Sequence, residues 1–234
     1  MTNLPDNVYE LRDLHNVAHV FRDREHAGEV LAGMLESYRG SNTLVLAIPA
    51  GGVPVAVALA KSLQLELDVI VTKKITLPWN SEFGYGAVAY DGTVHLNDAL
   101  LPQLKLSKEE IKRDTETTIA KVRLRNKLFR GDLAFPDISG RSVILVDDGL
   151  ATGITYYTAI QSLKKSGAAK IIGATPTGYE QSVIKIAGVL QEFHCANIRS
   201  GLRYAVADAY EKWHDVPEQQ VIKALKDARY QTAN

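Results

Sequence analysis

Short aliphatic runs alternate along the chain with segments whose apolar residues recur every three to four positions. TLVLAI (43–48), DVIVTKKI (68–75), SVILVD (142–147) and KIIGAT (170–175) are the runs, each of a length that suits a buried strand. Between them the period lengthens. Asp23 precedes a stretch in which Val30, Leu31, Met34, Leu35 and Tyr38 fall on one helical face, capped by Asp23 and stopped by Gly40. Further helices are expected over 53–63, from Ser107 to about Phe129, over 155–166, around 181–191 and over 217–228, with a fifth strand near 193–198. GAVAYDGTVHL (86–96) reads as a hairpin turning on Asp91-Gly92. Residues 1–21 are polar and irregular, a short leading extension, and 22–234 then form one domain. Unalternating strands separated by helices define an α/β fold with a mainly parallel sheet covered on both faces. Ligands of such sheets bind at the C-terminal ends of the strands.

Composition adds exclusions. Hydrophobic residues make up 46% of the 234 positions, and basic and acidic residues number 27 each. A net charge of zero leaves no electrostatic footprint for nucleic acid. Cys195 is the one cysteine, so an internal disulfide is ruled out and a reducing, cytoplasmic compartment fits. MTNLPDNVYELRD at the N-terminus lacks the basic start and apolar run of a secretory leader. No charged residue lies between Arg39 and Lys61, but Pro49, Gly51, Gly52 and Pro54 break that stretch into strand, loop and helix, not a membrane span.

The chemistry concentrates in VILVDDGLATGIT (143–155), where four branched aliphatics run into two adjacent aspartates and a small-residue loop. Asp147 and Asp148 could simply cap loop amides. A Walker B role needs G-x-x-x-x-G-K-[ST], and no glycine here precedes a lysine. Gly149 and Gly153 do not fit G-x-G-x-x-G, and a receiver domain places its acid pair after its first strand. A sugar phosphate suits the pattern. Two neighbouring carboxylates can accept hydrogen bonds from a cis-diol, while the amides of residues 151–155, opening a helix, offer an anion site. His15, His19 and Asp23 have the spacing of a metal face, although Asp23 also reads as a helix start.

With its T-G-x-T ending, VILVDDGLATGIT closely resembles the PRPP-binding motif of type I phosphoribosyltransferases. The resemblance implies that fold: a mainly parallel sheet flanked by helices, with a lid hairpin and a small hood. It further implies that Asp147 and Asp148 bind the ribose 2- and 3-hydroxyls, that Ala151, Thr152, Gly153, Ile154 and Thr155 cradle the 5-phosphate, and that Gly149 belongs with them to the ribose and 5-phosphate site. Mg²⁺ is the implied cofactor, on Asp147 and Asp148 directly or through water, bridging pyrophosphate and ribose hydroxyls. LAIPAGGVPVA (46–56) stands where the family has its pyrophosphate loop, often with a non-proline cis peptide; Ala50, Gly51 and Gly52 are its equivalents here. Ala50 replaces an arginine common among relatives, so Lys73 and Lys74 are the candidate compensating cations, Lys74 as a catalytic one. TLPWNSEFGYGAVAYDG (76–92) is the expected mobile lid, with Trp79, Asn80, Glu82, Phe83 and Tyr85. Tyr204, Tyr210 and Trp213 are hood candidates for stacking on an acceptor ring, or else core aromatics. Together with FRDREHAGEVLAGML (21–35) and YAVADAY (204–210), these segments carry the resemblance over about residues 21–215, toward stand-alone phosphoribosyltransferase-domain proteins. The implied partners are PRPP and a small-molecule acceptor, with homodimers common among relatives. A non-catalytic PRPP or nucleotide sensor of the same fold is the rival reading.

Overall fold

Strands too apolar to face water on either side stack into one parallel sheet with two covered faces. The computed structural model describes residues 4–201 and 203–232, without the side chains of 81–83 and 229–232. Its strands are β1 (Val8–Tyr9), β2 (Leu44–Ala47), β3 (Glu66–Val69), β4 (Thr72–Leu77), β5 (Asn80–Ala89), β6 (Val94–Leu96), β7 (Ser142–Val146), β8 (Lys170–Tyr179) and β9 (Glu192–Arg199). The helices are α1 (Arg24–Met34), α2 (Gly52–Leu63), α3 (Leu101–Leu104), α4 (Lys108–Arg130), α5 (Ile154–Lys165), α6 (Glu180–Ala187) and α7 (Glu218–Thr232). The main sheet runs β1-β9-β8-β7-β2-β3 with every pair parallel, and β4-β5-β6 form a separate antiparallel sheet.

Successive side chains on a strand point to opposite faces. Val45 and Ala47 of β2 accordingly join a cluster with Leu31 of α1, Leu59 of α2 and Val221 of α7. Leu44 and Leu46 join Ile160 of α5 and Val183 of α6 on the other face. The expected Asp23 cap is present, accepting a hydrogen bond from the His26 amide at 2.9 Å; Ser107, expected as the start of a helix, instead forms a capping box with Glu110 just before α4.

DVIVTKKI does not form one strand. Its first part belongs to β3, at the edge of the main sheet, and its second to β4 of the small sheet. Ile70 and Val71 at the break are fully buried, so no polar residue marks the change of sheet. The leading segment contributes structure as well: β1 pairs with β9, and the Asn7 side chain donates to the carbonyls of Ala187 and Leu190. Leu35 ends α1, and residues 36–38 continue as a 3-10 turn.

Candidate functional site

Asp147 and Asp148 follow β7, which lies between β8 and β2, so the acid pair sits at the C-terminal edge of the sheet. The loop after them is pinned through Leu150, whose amide donates to Thr177 O at 2.9 Å and whose carbonyl accepts from Tyr179 N at 2.8 Å. The Ser182 hydroxyl donates to Ala151 O. Gly153 adopts φ 73°, a left-handed conformation that glycine takes without steric penalty. α5 begins there with no side chain capping it. Its first-turn amides therefore point out beside the exposed Ala151 and Thr152, an arrangement suited to an anion.

The glycine loop after β2 closes against this pair. The Pro49-Ala50 peptide is cis, as the family resemblance implies. A Cβ on Gly51 would lie 2.5 Å from Asp148 Cγ, and one on Gly52 would lie 2.8 Å from Val146 O and 2.9 Å from Asp147 Cα. Only glycine permits so close an approach. Loop and acid pair thus form one packed unit.

Burial and the adjacent Asp148 charge push the Asp147 carboxyl well above the usual carboxylate range. Burial raises Asp148 too, opposed by Arg24. Arg24, first residue of α1, places Nε and NH2 at 2.9 and 2.8 Å from the same oxygen, Asp148 Oδ2, and donates from NH1 to His214 O at 2.8 Å. Its guanidinium lies 3.8 Å from the Trp213 ring centroid, a cation–π stack. Tyr210 donates its hydroxyl to Asp148 O at 2.6 Å. Sequence reading missed Arg24. The available signal was a cation in the first turn of a helix, where the macrodipole disfavours it unless a carboxylate is near.

The two lysines of β4 part company, as strand alternation requires. Lys74 is the one whose charge acts on Asp147, and its stem runs past Gly84, where a Cβ would be 3.0 Å from Lys74 Cδ. Lys73 does not join the site. It lines a cavity of about 920 Å³ with Leu124, Arg125, Leu128 and Glu218, and burial, then Arg125 and Lys121, lower its pKa. On the PRPP-binding role that the motif resemblance implies, Lys74→Ala is expected to weaken PRPP binding about tenfold and Lys73→Ala to leave it within about twofold, in a calorimetric titration of both variants.

The expected lid divides similarly. Trp79, at 71% exposure, and the exposed Asn80 lie where β4 passes into β5, and the side chains of Glu82 and Phe83 fall outside the described residues. Tyr85 is no lid aromatic. It is fully buried and donates its hydroxyl to Asp114 Oδ2 of α4 at 3.0 Å. The hood aromatics are also engaged by the protein itself: Tyr210 is in the core, Trp213 covers Arg24, and Tyr204 donates to Thr177 Oγ1 at 3.3 Å. Val206 stands directly over Gly149. His15 pairs with Glu10 and His19 bonds Tyr210 O, so neither joins Asp23 in a metal face. Cys195 is buried, its thiol pushed up to about 12 by burial, and is no nucleophile.

The acid pair and the uncapped helix N-terminus lie together at the C-terminal edge of a parallel α/β sheet, the edge at which ligands of such sheets bind. The phosphoribosyl transferase domain family model matches residues 22–188, and the chain belongs to that family. It is 34% identical over 209 residues to the "Putative phosphoribosyl transferase MT0597" of Mycobacterium tuberculosis (strain CDC 1551 / Oshkosh), covering 89% of this chain and 47% of that protein. Rv0571c of the H37Rv strain, which carries the same description, matches to the same extent. The chain thus spans about half the length of the curated relatives it matches. The crystal structure of TT1426 from Thermus thermophilus superposes with a TM-score of 0.72 at 30% identity, covering 88% of this chain and 98% of that one. The fold is that of type I phosphoribosyltransferases, as the sequence motif implied.

Proposed function

We propose that the protein transfers the 5-phosphoribosyl group of PRPP to an acceptor nitrogen, a nucleobase being the first candidate. The nitrogen attacks C1 of the sugar, the bond from C1 to the pyrophosphate oxygen breaks, pyrophosphate leaves with that electron pair, and the proton of the acceptor N–H passes to solvent. The observation that carries this reading is the single loop joining Asp147 and Asp148 to the uncapped start of α5, with Gly51 and Gly52 packed against it. One small molecule bearing a vicinal diol, a phosphate and a diphosphate matches those three features.

Asp147 Oδ1 accepts the Asp148 amide at 2.9 Å, which leaves Oδ2 for a hydroxyl, and Asp148 Oδ1 is left by Arg24 for the other. The amides of residues 151–155 hold the 5-phosphate, the 50–52 loop the diphosphate, and Lys74 adds positive charge. Among the described residues no cluster of three or more His, Cys, Asp or Glu side chains forms a protein-built metal cage. Two carboxylates beside a diphosphate instead fit Mg²⁺, which takes one or two protein carboxylates and fills its shell from phosphate oxygens and water. Once bound, Mg²⁺ neutralises charge on the leaving pyrophosphate. Asp147 and Asp148 would be its protein contacts. No described helix is long and apolar enough to cross a membrane.

Ala50 favours a second reading, a sensor that binds PRPP or a nucleotide without turnover, because the loop lacks a cation of its own for the leaving group. Pyrophosphate release measured with PRPP, Mg²⁺ and a panel of nucleobases separates the two. Release with one base identifies a transferase and its acceptor. PRPP binding without release across the panel favours the sensor.

A further inference from the structure

We infer that Arg24 is a positioning residue that makes Asp148 a reader of one ribose hydroxyl. This inference rests on the phosphoribosyl reading of the site. Arg24 is buried to 6% exposure and sends two N–H donors to one carboxylate oxygen, Asp148 Oδ2. That is not the fork-to-fork pairing in which a guanidinium occupies both carboxylate oxygens. Oδ2 is wedged between Arg24 and Gly51, while Oδ1 stays outside the pair. The opposite edge of the guanidinium is held by His214 O, and its face by Trp213. A third tie fixes the backbone of the same aspartate, through Tyr210 and the Asp148 carbonyl. Asp148 is therefore held from both ends of the chain, by the start of α1 and by the segment around 210–214.

The consequence is a division of labour between neighbouring carboxylates. The Asp148 amide occupies one oxygen of Asp147, and Arg24 occupies one oxygen of Asp148. Each acid keeps one oxygen that neither the Asp148 amide nor Arg24 takes, and the two carboxyls are close enough to hydrogen-bond each other, a contact that a vicinal diol can replace with one hydroxyl for each. Arg24 also cancels the negative charge of Asp148, which would otherwise face a phosphorylated sugar. The same arginine thus sets both the aim and the net charge of the pair without touching the ligand.

Binding of ribose 5-phosphate and of its 2-deoxy and 3-deoxy analogues, measured calorimetrically, tests this role. The wild type is expected to bind ribose 5-phosphate at least tenfold more tightly than either analogue. In Arg24→Met the penalty for removing the hydroxyl read by Asp148 should fall to within about twofold, while that for the hydroxyl read by Asp147 persists. A role confined to folding would weaken all three sugars alike. Trp213→Leu, which uncovers the guanidinium but keeps its ion pair, should lose part of the same discrimination and serves if Arg24→Met does not fold. Arg24→Lys should recover only part of it, because an ammonium lacks the planar donor edge. Retention of both penalties in the Arg24 and Trp213 variants overturns the inference and leaves the sugar-phosphate reading standing. A wild type that binds ribose 5-phosphate no better than the analogues overturns the inference at its premise. A wild type that binds none of the three also contradicts the sugar-phosphate reading.

Discussion

Asp147→Asn should leave stability within about 1 kcal/mol of the wild type, whereas Asp148→Ala should cost about 3–5 kcal/mol, although the residues are adjacent and chemically identical. Asp147 is buried beside a like charge and is pushed toward its neutral form. An uncharged amide there removes repulsion while keeping an oxygen for the Asp148 amide. Asp148 is the counter-charge of a guanidinium at 6% exposure, and removing it strands that cation. Both substitutions should nevertheless weaken PRPP binding, Asp148→Ala by about tenfold to a hundredfold, the 1.5–3 kcal/mol of a hydrogen bond to a charged group, and Asp147→Asn by about tenfold, because an amide nitrogen replaces the oxygen that would accept a hydroxyl. Thermal unfolding and calorimetry on the same samples separate the effects. Parallel losses of stability and affinity in both variants would make the pair a structural cap and nothing more.

Gly51→Ala and Gly52→Ala should also behave differently. At Gly52 the new methyl meets backbone, Val146 O at 2.8 Å and Asp147 Cα at 2.9 Å, which cannot swing away. A destabilisation of about 3 kcal/mol is expected, at the upper end for overpacking. At Gly51 the methyl meets the Asp148 carboxylate, a side chain that can rotate only by leaving Arg24. The expected result is a smaller stability loss, about 1–2 kcal/mol, with PRPP affinity reduced at least tenfold. Wild-type affinity in Gly51→Ala would show that the loop is merely a tight turn.

Local signals explain what the sequence made legible. Asp23 and Ser107 lie next to the helices they cap, and VILVDDGLATGIT holds strand, acids and helix start in thirteen consecutive positions. What escaped depends on contacts between distant positions. Arg24 and Asp148 are 124 residues apart, and nothing in FRDREHAG names its partner. The switch of sheet inside DVIVTKKI was hidden because both halves are buried, so hydrophobicity continues across the break. Lys73 and Lys74 both read as cations for the pyrophosphate, but strand alternation sends Lys74 toward Asp147 and Lys73 toward α4. Tyr85 sits among glycines and looked mobile. Its anchor, Asp114, lies on another helix.

The central claim is that one loop after β7 reads a phosphoribosyl group. Calorimetric titration of the wild type with PRPP in the presence of Mg²⁺ tests it most directly. Saturable 1:1 binding that is weakened at least tenfold in Asp147→Asn, a variant expected to stay folded, is the predicted result. Absence of binding, or binding that Asp147→Asn leaves unchanged, would contradict the account.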